Sequence, residues 1–86
     1  ISVLGKCNVI GNIAIDNGGD GISHTGGNGL LKDNLAADNA GHGFNVGYGG
    51  TGYTYVFDGN SVSGNTAGSM NGIPPGAAWG VNAGIP

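Results

Sequence analysis

Apolar residues along this chain occur in very short runs, which asparagine or glycine interrupts every few positions. The stretch NIAIDNGGDGI (12–22) and the stretch NLAADNAGHGF (34–44) show this pattern twice, with a shift of 22 residues. Runs this short suit brief β-strands and leave no room for a helix, which both Gly and Asn disfavour. The pattern therefore predicts an all-β chain that repeats one short structural unit.

The asparagines align the chain into three copies of a single template. The template is an apolar residue, Asn, a small apolar residue, Asn, Gly and a second apolar residue, with short spacers between them. The copies are Val9, Asn12, Ala14, Asn17, Gly21 and Ile22; Leu31, Asn34, Ala36, Asn39, Gly43 and Phe44; and Phe57, Asn60, Val62, Asn65, Gly72 and Ile73. An insert at 47–55 delays the third copy, and residues 69–70 lengthen its spacer.

Repeats of about 20 to 25 residues are typical of solenoids, in which each unit buries its apolar face against the next. Equivalent residues then stack at the strand spacing of about 4.8 Å, and stacked asparagines form ladders of side-chain hydrogen bonds. We therefore expect a parallel β-helix of about three to four turns over residues 1–73. Its two predicted ladders are Asn12, Asn34 and Asn60, and Asn17, Asn39 and Asn65.

The corners between strands also have predicted residues. Asn tolerates the left-handed backbone conformation, so we expect the ladder asparagines to turn the corners themselves. A second corner is expected at Gly21, Gly43 and Gly72. Residues 74–86 depart from the template, and their prolines oppose strand pairing. We predict that they form a non-repeat cap or tail, in which Trp79 covers the open end of the apolar stack.

This arrangement resembles the right-handed parallel β-helix repeat of the pectate-lyase-like superfamily, over roughly residues 1–73. The resemblance implies an architecture rather than one activity, because the superfamily includes polysaccharide lyases, hydrolases, epimerases, phage tailspikes and adhesins. It also implies an extracellular or cell-surface location and an association with carbohydrate.

Charge is scarce in this chain, which has two lysines, five aspartates, no Arg and no Glu, and a formal net charge of −3. Without a basic patch it is a poor partner for nucleic acid or anionic membranes. No apolar run approaches the roughly 18 residues of a membrane span. Cys7 is the only cysteine, and no Cys/His spacing suggests zinc, so no cofactor is predicted.

The small number of turns bears on whether the solenoid needs partner chains. Three turns are about the minimum for a free-standing solenoid. We therefore expect a longer parent chain, a trimer or a larger assembly, with partner chains covering the solenoid ends.

The sharpest candidate chemistry lies at Asp20 and His42, which occupy equivalent positions of adjacent copies. The segment GHGFNVG (41–47) is similar to the Gly-His-Gly segment of polygalacturonases, and GGDGI (18–22) is similar to their Asn-x-Asp-Gly segment. The resemblance implies an acid at Asp20 and a supporting residue at His42 in glycosidic hydrolysis. The paired aspartates expected on an intervening rung are missing. We favour the alternative of a plain corner whose middle residue faces solvent.

Two weaker candidate sites remain. Asp16 and Asp38 also stack, and two carboxylates about 5 Å apart are candidate calcium ligands, although an exposed pair of turn aspartates is the favoured interpretation. In the insert, Tyr48 and Tyr53 are candidate glycan-binding residues, because loops on rigid scaffolds often carry binding residues and tyrosine stacks on sugars. Tyr55 is closer to the strand of Phe57 and is expected to be structural.

Two functions from different classes fit these residues. The first is a rigid β-solenoid segment of a secreted or surface protein, with a structural or binding role that is glycan-associated. The second is a fragment of a polysaccharide-degrading enzyme, a glycoside hydrolase or lyase. The sequence favours the first for these 86 residues, because the charged machinery of the second is missing.

Overall fold

The computed structural model describes residues 1–47 and 54–85, and in these ranges the chain forms β-strands and no helix. It therefore contains no described helix that could cross a membrane. The strands are β1 (Ser2–Leu4), β2 (Cys7–Ile10), β3 (Ile13–Ile15), β4 (Ile22–Thr25), β5 (Gly29–Lys32), β6 (Leu35–Ala37), β7 (His42–Gly47), β8 (Tyr55–Asp58), β9 (Ser61–Ser63), β10 (Gly68–Asn71) and β11 (Ala78–Trp79).

The strands stack into three parallel sheets, and each turn of the chain contributes one strand to each sheet. Sheet A has the order β1-β4-β7-β10, sheet B the order β2-β5-β8-β11, and sheet C the order β3-β6-β9. Every strand pairing in them is parallel. The chain is a β-solenoid of about three turns, which confirms the predicted fold class.

The register follows the predicted repeat and shows where it changes. Cys7 pairs with Gly29, a shift of 22 residues, whereas Gly29 pairs with Tyr55, a shift of 26. The same larger shift carries into sheet A, where Met70 pairs with Phe44. The prediction that Gly72 and Ile73 end the third copy is therefore wrong, because no second spacer is added. Ile73 is instead exposed.

The chain beyond residue 73 returns to the sheets. Trp79 of β11 pairs with Phe57 of β8, a shift of 22 residues, and Ala83 pairs with Ser61. The indole of Trp79 stacks on the Phe57 ring with centroids 4.6 Å apart. Part of this segment, from 78 to 83, thus extends the repeat and covers the last aromatic ring of the core.

The core is a column of inward-facing side chains between the sheets. Small residues, Ala14, Ala36 and Val62, fill the narrow side under sheet C. Phe44 and Phe57 stack with ring centroids 6.3 Å apart on the wider side. The column is completed by Val9, Ile22, Leu31, Val46, Tyr55 and Ile85.

At the corners of the six predicted ladder asparagines, the left-handed residue is the one that precedes the asparagine. Asp16, Asp33 and Asp38 have φ angles of 58°, 56° and 57°, and Gly11, Gly59 and Gly64 occupy the same place in other turns. The expectation that asparagine itself adopts this conformation is wrong. Because the preceding residue makes the turn, the asparagine side chain can point inward and donate hydrogen bonds.

Glycine occurs at positions 21 and 43 for a different reason from the corner conformation that was predicted. Neither has a positive φ. A Cβ on Gly21 would lie 2.7 Å from the side-chain nitrogen of Asn39, and a Cβ on Gly43 would lie 2.8 Å from that of Asn65. Glycine is needed there because the asparagine ladder, and at Gly43 also the Val62 side chain, occupies the space of a side chain.

Candidate functional site

The first asparagine ladder runs between sheets B and C through Asn12, Asn34, Asn60 and Asn82. In each step the backbone N–H and the side-chain Nδ2 of one residue both donate to the Oδ1 of the next, at 2.9 to 3.2 Å. Asn82 was not among the predicted ladder residues, although it lies 22 residues after Asn60. The ladder predicted at Asn12, Asn34 and Asn60 is confirmed and continues one turn further.

The second ladder lies between sheets C and A and has the same chemistry. Asn17 donates to Asn39, and Asn39 donates to Asn65, each through two bonds of 2.8 and 3.0 Å. Asn39 is fully buried and also donates to the Ala14 carbonyl at 3.0 Å. Buried polar groups need such partners to offset their desolvation. These asparagines therefore hold the turns together.

The structure brings Asp20 and His42 into contact at the entrance to sheet A. Asp20 Oδ1 accepts a hydrogen bond from the backbone N–H of His42 at 2.8 Å, and His42 Nδ1 lies 3.6 Å from the same oxygen. Asp20 Oδ2 accepts from Asn45 Nδ2 at 2.8 Å and from the Ser23 hydroxyl at 3.4 Å. Both Asp20 and His42 remain about a quarter exposed. Asp20 thus acts as an acceptor that ties adjacent turns together.

The electrostatics of Asp20 favour a permanent carboxylate. The hydrogen bond from Asn45, then that from the His42 backbone, lowers the pKa of the Asp20 carboxyl below its ordinary value of 3.8, against a smaller opposing effect of burial. A general acid in glycoside hydrolysis needs the opposite, a raised pKa. The contacts therefore suit a structural acceptor better than the acid implied by the resemblance.

Asp16 and Asp38 lie exposed at their corners, in the left-handed conformation. Within ranges 1–47 and 54–85, no three His, Cys, Asp or Glu side chains are grouped so as to hold a metal ion. Their observed role is to turn the chain before Asn17 and Asn39. Tyr48 and Tyr53 lie outside the described residues.

A shallow cleft of about 370 Å³ lies on the outer side of sheet B, where the chain enters it from sheet A. Its floor comes from a row of outward residues on three adjacent strands, Asn8, Leu30 and Val56, which are aligned by the register. Its rim comprises Lys6, Cys7, Asn28, Gly29 and Thr54. The Thr54 backbone N–H donates to the Asn28 side-chain oxygen and fixes one wall.

Sequence reasoning missed this cleft, because its residues belong to no repeated motif. In β5 and β8 the floor residues alternate along the chain with buried residues. This period of two could have identified the row of floor residues once the register was known. The rim residues lie at the most irregular corner of the repeat. No single-sequence signal placed them together.

A buried histidine is the second feature that the sequence did not reveal. His24 is fully buried, and its Nδ1 lies 3.1 Å from the Tyr55 hydroxyl. Among the described residues no group hydrogen-bonds to its Nε2. Burial lowers the pKa of His24 below its ordinary value of 6.5 and raises that of Tyr55 above 10.0. His24 lies at the same inward position as Val3 and Val46 of the neighbouring strands.

Comparison of the chain with protein-family models, with curated proteins and with solved structures found no match. The β-solenoid architecture and the geometry of its surface therefore carry the functional argument.

Proposed function

We propose that this chain is a rigid binding segment of a secreted or surface protein, and that the cleft on sheet B binds a glycan. The composition of the cleft carries this proposal. Leu30 and Val56 supply the apolar part of the floor and Asn8 its polar part, whereas Lys6 and Asn28 belong to the rim. Sugars present apolar C–H faces and polar hydroxyls together, so a floor of this kind with few polar groups suits them.

The ladders support the proposal by making the cleft rigid. The strands that carry Asn8, Leu30 and Val56 are neighbours in sheet B, and the first ladder begins directly after this sheet. A preformed site loses little conformational entropy when the ligand binds. Tyr48 and Tyr53, the glycan-binding residues predicted from the sequence, lie outside the described residues, so the proposal rests on the cleft alone.

The proposed secreted or surface location rests on the resemblance of the repeat to the pectate-lyase-like β-helix superfamily. A secreted or cell-surface β-helix with few charges suits adhesion to carbohydrate, which presents many weak polar contacts. Partner chains at the ends of the solenoid belong to the same proposal.

The alternative, a polysaccharide-degrading enzyme, has the contact between Asp20 and His42 as its supporting observation. A carboxylate with a lowered pKa could serve as a base or a nucleophile, and glycosidases need a second carboxyl group beside it. The residues that bond to Asp20 Oδ2 are Ser23 and Asn45. Binding is therefore the better supported function.

The test is a titration of the ¹⁵N-labelled chain with neutral and uronate-containing oligosaccharides, followed by NMR. We expect shifts at Asn8, Asn28 and Leu30, and weaker binding in Asn8→Ala and Lys6→Ala. Ser61→Ala, an exposed change on sheet C, is the matched control and should bind as the parent does. If none of the oligosaccharides shifts the cleft signals, the binding proposal is wrong.

The enzymatic alternative is tested in parallel by incubation with the same oligosaccharides and analysis of the products. Cleavage that Asp20→Asn abolishes would favour the enzyme. Binding without cleavage would favour the binding segment.

A further inference from the structure

A polar row on the outer face of sheet A links Asp20 to the end of β10. Asn71 Nδ2 donates to Asn45 Oδ1 at 3.3 Å, and Asn45 Nδ2 donates to Asp20 Oδ2 at 2.8 Å. Asn71 and Asn45 are register partners on adjacent strands. The Asn45 amide thus accepts from Asn71 and donates to Asp20, so it connects these two residues.

Asn71 is also followed by glycine. An Asn-Gly pair is the dipeptide in which the backbone nitrogen of the second residue reaches the side-chain carbonyl carbon most easily, because glycine has no Cβ and few backbone restrictions. The chain holds three such pairs, at 17–18, 28–29 and 71–72. They share the same dipeptide, so their surroundings decide which one reacts.

Those surroundings differ strongly between Asn71 and Asn28. Asn71 is exposed at the last position of β10, an edge strand of sheet A, and the Gly72 amide donates to no described residue. Asn28 is half-buried, its side chain accepts from Thr54, and the Gly29 N–H donates to the Thr54 carbonyl at 3.0 Å. The attacking nitrogen is therefore held at Gly29 and accessible at Gly72.

Asn17 is intermediate. It is exposed, but its backbone and side-chain nitrogens both donate to Asn39 Oδ1, at 3.0 and 2.8 Å. Reaction there requires these ladder bonds to open, whereas the Asn71 side chain has one hydrogen bond among the described residues, to Asn45.

We propose that Asn71 is a site of spontaneous deamidation, and that the carboxylate formed there competes with Asp20 for the Asn45 amide. The Gly72 nitrogen attacks Cγ of Asn71, a C–N bond forms, and ammonia leaves. Water then opens the cyclic imide, which yields aspartate or isoaspartate at position 71. Water is the only co-reactant, and no oxidation or reduction takes place.

The consequence at Asp20 follows from the polarity of the row. A carboxylate at position 71 cannot donate to Asn45 Oδ1, and like charges or lone pairs oppose each other there. Rotation of the Asn45 amide satisfies the new carboxylate and removes the donor from Asp20. The Asn45 bond is the largest of the contacts that lower the pKa of Asp20. That pKa is therefore expected to rise, while His42 keeps its own contact.

The first experiment incubates the 86-residue chain in H₂¹⁸O at mildly alkaline pH and measures ¹⁸O incorporation by peptide mass spectrometry. We expect Asn71 to react first, then Asn17, and Asn28 to be slower than Asn71 by about tenfold, which corresponds to about 1.4 kcal/mol. In denaturant the three sites should approach a common rate. Equal native rates at Asn71 and Asn28 would overturn the proposal.

The second experiment tests the coupling with variants. Asn71→Asp should raise the pKa of Asp20, followed by NMR of its carboxyl carbon, and it should change the Asn45 side-chain amide signals. Asn71→Ala removes the side-chain donor without adding a charge, so its effect should be smaller. An unchanged Asp20 in Asn71→Asp, or equal shifts in both variants, would overturn the coupling.

Discussion

The corners of this solenoid fall into two kinds. Those between sheets B and C and between sheets C and A carry an asparagine ladder, whereas none is described between sheets A and B. Between sheets B and C the chain always turns in two residues, at 11–12, 33–34 and 59–60, and the second residue is always a ladder asparagine. Between sheets A and B the described connections differ in length, at 5–6, 26–28 and 72–77. The first kind repeats because each turn supplies the partners of the next. The second kind carries no ladder and is free to vary.

The difference separates the ladders that stabilise the fold from the cleft that we propose as the binding site. The ladder corners hold buried amides that depend on their neighbours, so a change in one turn disturbs two others. The cleft lies where the chain passes from sheet A to sheet B, and the His24 ring lies beside Gly29 at the same corner. In proteins with regular scaffolds, binding residues often lie on variable loops that a rigid framework holds in place.

Removal of the central amide of a ladder should have the largest effect. Asn39→Ala removes a fully buried amide and leaves the Ala14 carbonyl and both donors of Asn17 without their partner. We expect a loss of about 3–5 kcal/mol in the free energy of unfolding, measured in urea. Asn17→Ala, at the exposed first rung, is the control and should lose about 1 kcal/mol. Equal losses would show that burial does not decide the strength of the ladder.

Crowding of the irregular corner should have a smaller effect. A Cβ on Gly29 would lie 2.8 Å from His24 Nε2, so Gly29→Ala must displace the imidazole. We expect a loss of about 1–3 kcal/mol in thermal or urea unfolding. Gly18→Ala is the matched control, because nothing lies within 4 Å of its added Cβ, and its change should stay within about 0.5 kcal/mol. A neutral Gly29→Ala would mean that the His24 ring adapts without cost.

The buried histidine makes stability depend on pH in a defined direction. The pKa of His24 in the folded state lies below 6.5, its ordinary value. As the pH falls below 6.5, the unfolded chain therefore binds more protons than the folded chain does. The free energy of unfolding should fall from about pH 6.5 downward and level off below the folded-state pKa. Asp20 contributes a separate loss at lower pH, since its folded pKa lies below 3.8.

Variants of the two histidines distinguish the pH dependence caused by His24 from a general sensitivity of the fold to acid. His24→Val, which copies the neighbours Val3 and Val46, should flatten the slope near pH 6, whereas His42→Gln should retain it. Urea unfolding at several pH values measures both. A slope that survives in His24→Val would assign the effect to another group.

How much could be predicted differs between the same two kinds of corner. The ladder corners were predicted from sequence, because identical residues at a fixed interval must stack. The Asp or Gly before each asparagine was missed as the left-handed residue, although its pattern is visible in the sequence. His24 and the cleft could not be predicted, because they depend on which unlike residues meet across turns. The alignment of the third copy to Gly72 failed because glycines are too frequent in this chain to fix a register.

The smallest effect should come from lengthening an irregular corner. The segment 26–28 connects β4 to β5 in three residues, and the next turn already shifts the register from 22 to 26 without a change of partners. Insertion of Gly-Ser-Gly-Ser after Gly27 should cost about 1 kcal/mol or less, because loop-closure entropy grows slowly with length. The same insertion after Asp33 separates the left-handed residue from Asn34 and should cost several times more. Similar losses in both variants would mean that the two kinds of corner bear the fold equally, and the assignment of binding to the irregular side would lose its physical basis.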